Sequence, residues 1–144
     1  MQGLVISMAS ILFQITLPLV LALFHFVGPI PTDLSAEGGQ LSACPGPEHC
    51  ASSQWRVADS STALKQLSQQ INDTPRTEII EQSATYLHAT YSSRIFGFVD
   101  DLELFASDSV TLEARSISRL GESDLGVNAQ RLEGLGKTIE TSEA

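Results

Sequence analysis

One uncharged stretch constrains this chain more than any other feature. From Leu4 to Val27 it reads LVISMASILFQITLPLVLALFHFV, 24 residues with no Asp, Glu, Lys or Arg, and the first basic side chain of the whole sequence is Arg56. As a helix the run covers about 36 Å against a hydrocarbon core of about 30 Å, so it spans a bilayer with some tilt. Pro18 would kink it. A secretory signal peptide carries a charged leading region and a small-residue cleavage site, and neither is evident here. We therefore read residues 1–27 as a membrane anchor or uncleaved signal, with residues 4–27 in the lipid bilayer; a cleaved signal and a buried core helix are the alternatives. The positive-inside rule finds no Lys or Arg near either end. The terminal amine before the run, with Asp33 and Glu37 after it, favours a single-pass chain whose domain faces the periplasm or, in a photosynthetic cell, the thylakoid lumen.

Residues 28–43 contain Pro29, Pro31, Gly38 and Gly39 and read as a linker. Leu41-Ser42-Ala43-Cys44 imitates a lipobox, but a lipobox abuts the apolar stretch, whereas here the whole linker intervenes. Both cysteines lie in Cys44-Pro45-Gly46-Pro47-Glu48-His49-Cys50. In a translocated domain, an even cysteine count in one loop fits a disulfide. A ring this small contributes about 2 kcal/mol in the entropic description, so it fixes the loop rather than the fold. The rival is a zinc site on Cys44, His49 and Cys50, which lacks an identified fourth ligand and a C-x2-C pair; free thiols are the third possibility.

With 144 residues, a net charge of −9 and 42% apolar content, the chain supports one ordinary domain and is too apolar for disorder. An acidic chain does not release the counterions of a polyphosphate, so no nucleic acid partner is expected. No nucleophile elbow, P-loop, dinucleotide fingerprint or HExxH motif occurs, and no cofactor is implied.

Residues 44–140 are expected to form the domain, with 141–144 a tail. Asp59-Ser60-Ser61 offers N-caps, Leu64, Leu67 and Ile71 form one helical stripe, and Asn72-Asp73-Thr74-Pro75 stops it. Strands follow at Thr77 to Glu81, Tyr86 to Arg94, Leu102 to Ala106 and Val110 to Arg119. Their alternation sends Leu87, Ala89, Leu112 and Ala114 to one face and His88, Thr90, Glu113 and Arg115 to the other. A last helix starts near Asn128, read as its N-cap, and carries Leu132, Leu135 and Ile139; Gly134 and Gly136 weaken it by about 1 kcal/mol each, and its end beyond Lys137 should fray. Phe96 and Phe98 share a face and are expected in the core. The fold class is α+β: an N-terminal transmembrane helix followed by a small antiparallel four-strand meander with two helices packed on one face.

Three stretches occur in order: Cys44-Pro45 with Cys50-Ala51-Ser52-Ser53-Gln54; Ser93-Arg94-Ile95-Phe96-Gly97-Phe98-Val99-Asp100-Asp101-Leu102-Glu103; and Arg115 to Asn128 (RSISRLGESDLGVN) with Arg131 and Glu133. In these the chain resembles the bacterial and plastid family catalogued as domain of unknown function 1499, over most of residues 26–135. The resemblance implies a single-domain protein, often with an apolar N-terminal segment, and implies no reaction. Family members often carry an aromatic residue at the place of Glu122. Many also have a longer strand-forming stretch before the first helix, where this chain has only Trp55 to Ala58, so a shortened first strand is expected.

Arg94, Arg115, Arg119 and Arg131 are four of six arginines and fall in these motifs with Asp100, Asp101, Glu103, Asp124 and Asn128. The structural reading is a network of Arg–carboxylate pairs; the functional one is a patch for an anionic ligand or an acidic partner segment. Asp100-Asp101 is the only adjacent carboxylate pair, and paired carboxylates can serve as acid and base, with His88 as a proton carrier. Neighbours on a regular strand point to opposite faces, so catalysis there requires a bend. The leading expectation is a membrane-tethered extracytoplasmic accessory domain that binds a protein or small molecule. The alternative is a small hydrolase or lyase using Asp100, Asp101 and the nearby arginines.

Overall fold

The computed structural model describes residues 27–142. The helix expected over residues 4–27 lies outside them but for Val27, and no helix among the described residues is long and apolar enough to cross a membrane. The fold is α+β, with β1 (Cys50–Arg56), α1 (Ser60–Asp73), β2 (Thr77–Gln82), β3 (Tyr86–Ser92), β4 (Val99–Asp108), β5 (Thr111–Ser118) and α2 (Val127–Ser142). The strands form one antiparallel sheet in the order β1-β5-β4-β3-β2.

Five strands replace the four of the expected meander, the additional one being β1. The Cys-Ala-Ser-Ser-Gln stretch is itself strand, paired with β5 from Cys50↔Ile117 to Arg56↔Thr111. Its small polar residues carry little intrinsic strand preference. What holds it is the partner strand and the packing of Ala51 and Trp55 against the core. β4 also begins earlier than its apolar pattern indicates, so Asp100 and Asp101 sit inside a paired strand rather than at a turn.

Asp59 caps α1, its Oδ1 accepting from the Thr62 amide at 2.7 Å, and Ser60 Oγ donates to the Asp108 carbonyl. Leu64, Leu67 and Ile71 of α1 meet Leu132, Leu135 and Ile139 of α2 over Leu87, Ala89, Leu102, Leu104, Leu112 and Ala114, so both helices cover one face. Asn128 is not the cap of α2. It lies inside the first turn, fully buried, while Asp124 accepts from the Gly126 amide at 2.8 Å and the Asn128 amide at 3.1 Å. Nor are Phe96 and Phe98 in the core: they lie in the β3–β4 connection, 48% and 40% exposed, with ring centroids 5.7 Å apart. The strands end before them, so alternation no longer directs their side chains inward.

The two interior glycines of α2 differ. A Cβ on Gly136 would come within 2.8 Å of the Trp55 indole Nε1, whereas one on Gly134 meets nothing within 4 Å. Gly134→Ala should therefore stabilise by up to about 1 kcal/mol through helix propensity. Gly136→Ala should destabilise, because a packed indole cannot move aside cheaply. Thermal unfolding of the two variants reads the difference.

The sheet's outer face is also covered. Residues 28–43 form no helix or strand but run across it, with the Leu41 amide donating to Glu113 Oε2 at 3.1 Å and Asp33 Oδ2 accepting from Arg115 Nη2 at 2.7 Å. His88, Thr90, Asp101, Glu103 and Arg115 are buried beneath.

Candidate functional site

Strand alternation splits the motif residues between two faces. On the helix side Arg131 Nη2 donates to Asp100 Oδ2 at 2.7 Å, and its Nη1 donates to Ser116 Oγ at 2.7 Å and Asn128 Oδ1 at 2.6 Å. Its guanidinium also lies 4.3 Å from the centre of the Tyr91 ring, close enough for cation–π attraction. Ser118 Oγ donates to Asp100 Oδ1 at 2.6 Å. The Asn128 amide nitrogen donates to the His49 carbonyl at 3.2 Å, Ser118 Oγ at 2.9 Å and Asp124 Oδ2 at 2.7 Å. This cluster ties the start of α2 to β4, β5 and the residue before β1. Burial pushes the Asp124 carboxyl up, but amide donors from Gly126 and Asn128 outweigh it and hold the group below its ordinary range.

On the outer face β3, β4 and β5 bring a second set together. Asp101 accepts from Arg119 through both Nε (2.7 Å) and Nη2 (2.8 Å), and His88 Nε2 lies 2.8 Å from its Oδ1. An ionised carboxylate only accepts, so Nε2 carries the proton in this pair. Two residues along the strand, Glu103 accepts from Tyr86 Oη at 2.8 Å and from Arg115 Nη1 at 3.0 Å, and Arg115 continues to Asp33. The two carboxylates are driven apart. Burial raises Asp101, yet the Arg119 and His88 hydrogen bonds prevail and its carboxyl falls below the usual range. For Glu103 burial prevails over Tyr86 and Arg115, and the carboxyl is pushed up. Tyr86 is itself raised, by burial and by its bond to Glu103; the Arg119 guanidinium is raised by its hydrogen bonds to Asp101, against the opposing effect of burial.

The adjacent aspartates do not converge. Asp100 belongs to the Arg131 cluster and Asp101 to the Arg119–His88 cluster on the opposite face, so the acid–base dyad that a bend would have created is not formed. Arg94 is exposed in the turn after β3 and joins neither cluster. Cys44 and Cys50 are joined in a disulfide with Cα atoms 5.6 Å apart. That withdraws both sulfurs from the zinc set with His49, and no group of three or more His, Cys, Asp or Glu among the described residues is placed to hold a metal ion.

Sequence reasoning passed over Tyr86 and Asp33. Tyr86 was legible in principle, being one strand period from His88 on the same face. Asp33 was not, since its partner is 82 residues away. What the outer cluster offers chemically is an imidazole oriented by a carboxylate at the floor of a cleft of about 290 Å³, bordered by Val27, Ile30, Ile80, Thr90 and Val99.

Fold and site together define a small α+β domain: one antiparallel sheet with two helices on its inner face and a buried Arg–carboxylate row on its outer face. Over residues 33–139 the chain matches the family described as a protein of unknown function (DUF1499). It belongs to that family. A search of the curated proteins finds no match.

Proposed function

We propose that this protein is a single-pass, membrane-tethered accessory domain on the extracytoplasmic side, acting by binding a protein or small molecule rather than by catalysis. The observation that carries this reading is the Cys44–Cys50 disulfide, because such bonds persist in oxidising compartments. The uncharged run that precedes the domain supplies the membrane half of the proposal. The catalytic alternative is weakened by how the motif charges are used: Asp100, Asp101, Arg115, Arg119 and Arg131 are engaged with one another and with neighbouring side chains.

Thiol labelling and protease protection on oriented membrane vesicles test the proposal. Cys44 and Cys50 should resist alkylation until reduced, and the domain should be digested only from the periplasmic or lumenal side. Free thiols on a domain digested from the cytoplasmic side would overturn it.

A further inference from the structure

The described chain starts at Val27, at the end of the sheet that carries the β3–β4 turn and the β5–α2 connection. Gly28 packs there, so tightly that a Cβ would come within 2.7 Å of Leu120 Cγ and 2.9 Å of Arg119 Cβ. Residues 28–43, which would otherwise be a spacer, are laid across the outer face by the Asp33–Arg115 and Leu41–Glu113 bonds. No slack therefore separates the end of the apolar run from the folded domain.

This same end holds an apolar rim. Ile95 is 74% and Leu125 87% exposed; Phe96, Phe98 and Leu120 join them from the same two connections, and Val127 from the first residue of α2. The remaining exposed large hydrophobics among the described residues are Val27, Ile30 and Ile80, which border the adjoining cleft. The opposite end of the sheet shows none. Singly exposed apolar residues are ordinary, but their segregation to one end marks a contact surface. Leu125 also holds a left-handed backbone at φ 54°, a conformation that disfavours leucine, with its side chain directed away from the core. Arg94 precedes Ile95 and Phe96 in the same turn and is exposed, and a long cationic side chain there can keep its stem on apolar surface and its head among polar groups.

We propose that this rim rests in the headgroup and acyl boundary of the bilayer, so that the domain sits flush on the membrane with its β3–β4 and β5–α2 connections inserted. The inference rests on the tethered reading above, and the lipid is the occupant because the uncharged run enters the domain at this end. The contact is apolar rather than electrostatic, since a chain of net charge −9 gains nothing from an anionic surface.

The test uses the full chain, whose single tryptophan is Trp55, reconstituted into phosphatidylcholine vesicles with lipids brominated near the headgroup. In a Trp55→Phe background, Leu125→Trp and separately Ile95→Trp should float with the vesicles, shift their emission to the blue and lose about half their intensity to the bromines, as side chains about 5–10 Å deep would. Native Trp55, at the other end of β1, should lose almost none. If the protein floats and both reporters stay unquenched, the rim inference fails and the tether stands. Reporters blue-shifted only in a concentration-dependent way, without quenching, would assign the rim to a second copy and overturn the lipid assignment. If the protein does not float, the tether fails first and the rim falls with it.

Discussion

Asp101→Ala is expected to remove about 3–5 kcal/mol, because it leaves the buried Arg119 guanidinium and the His88 ring without their shared acceptor. Domains of this kind have total stabilities of about 5–15 kcal/mol, so the loss is a large fraction of the whole; the variant's urea midpoint measures it. Asp100→Ala should cost less, about 1–3 kcal/mol, since Arg131 keeps Ser116, Asn128 and the Tyr91 ring. The two losses should add in the double variant, and strong non-additivity would contradict the separation of the two clusters. The pH dependence has a definite sign. Asp101 is held below its ordinary value of 3.8 when folded, so in that range the unfolded chain binds more protons. Its stabilising contribution is complete above 3.8 and disappears as pH falls through the lower folded value. Glu103 acts in the opposite sense: its folded carboxyl is raised above 4.5, so stability from this group increases as pH falls through the raised value toward 4.5. Wild-type stability should therefore pass through a maximum on the acid side, with Glu103→Gln removing the upper limb and Asp101→Asn flattening the lower.

Arg115→Ala should be comparably severe, again about 3–5 kcal/mol, because Glu103 is then buried with only Tyr86 as donor. Asp33→Asn should cost under about 1 kcal/mol, because the Asp33 side chain is half exposed and the asparagine oxygen still accepts from the buried Arg115. It should nonetheless speed amide exchange at Leu41 by loosening residues 28–43. Combining Glu103→Leu with Arg115→Met should recover much of the Arg115→Ala loss, since a buried pair replaced by packed apolar groups no longer bears its desolvation cost. Double-mutant unfolding free energies give the comparison. Recovery with a normal fold would mean that the outer row serves something other than stability, such as holding residues 28–43 in place over the cleft.

Local chemistry made part of this legible from residue order. The α1 cap at Asp59, the stripes Leu64-Leu67-Ile71 and Leu132-Leu135-Ile139, the two faces of β3 and β5, and the disulfide all depend on neighbours a few residues apart. So did the divergence of Asp100 and Asp101, which needs only the period of a strand. β1 was expected only through the resemblance and not from its own residues, because Cys-Ala-Ser-Ser-Gln has no strong preference of its own and takes strand form from β5, more than 50 residues away. Phe96 and Phe98 were misread because apolar character alone cannot distinguish a core residue from one exposed in a connection.

Residue order by itself determined the helices, the sheet's antiparallel character, the family and the presence of an uncharged run long enough to span a bilayer. Tertiary structure decided what the charges do and where the apolar residues end. Arg115 meets Asp33 across 82 positions, and Gly28 packs against Arg119 and Leu120, more than 90 positions on. Such juxtapositions follow from how strands and connections are laid in space, and the hydrophobic period, which reports only the face of each element, does not contain them.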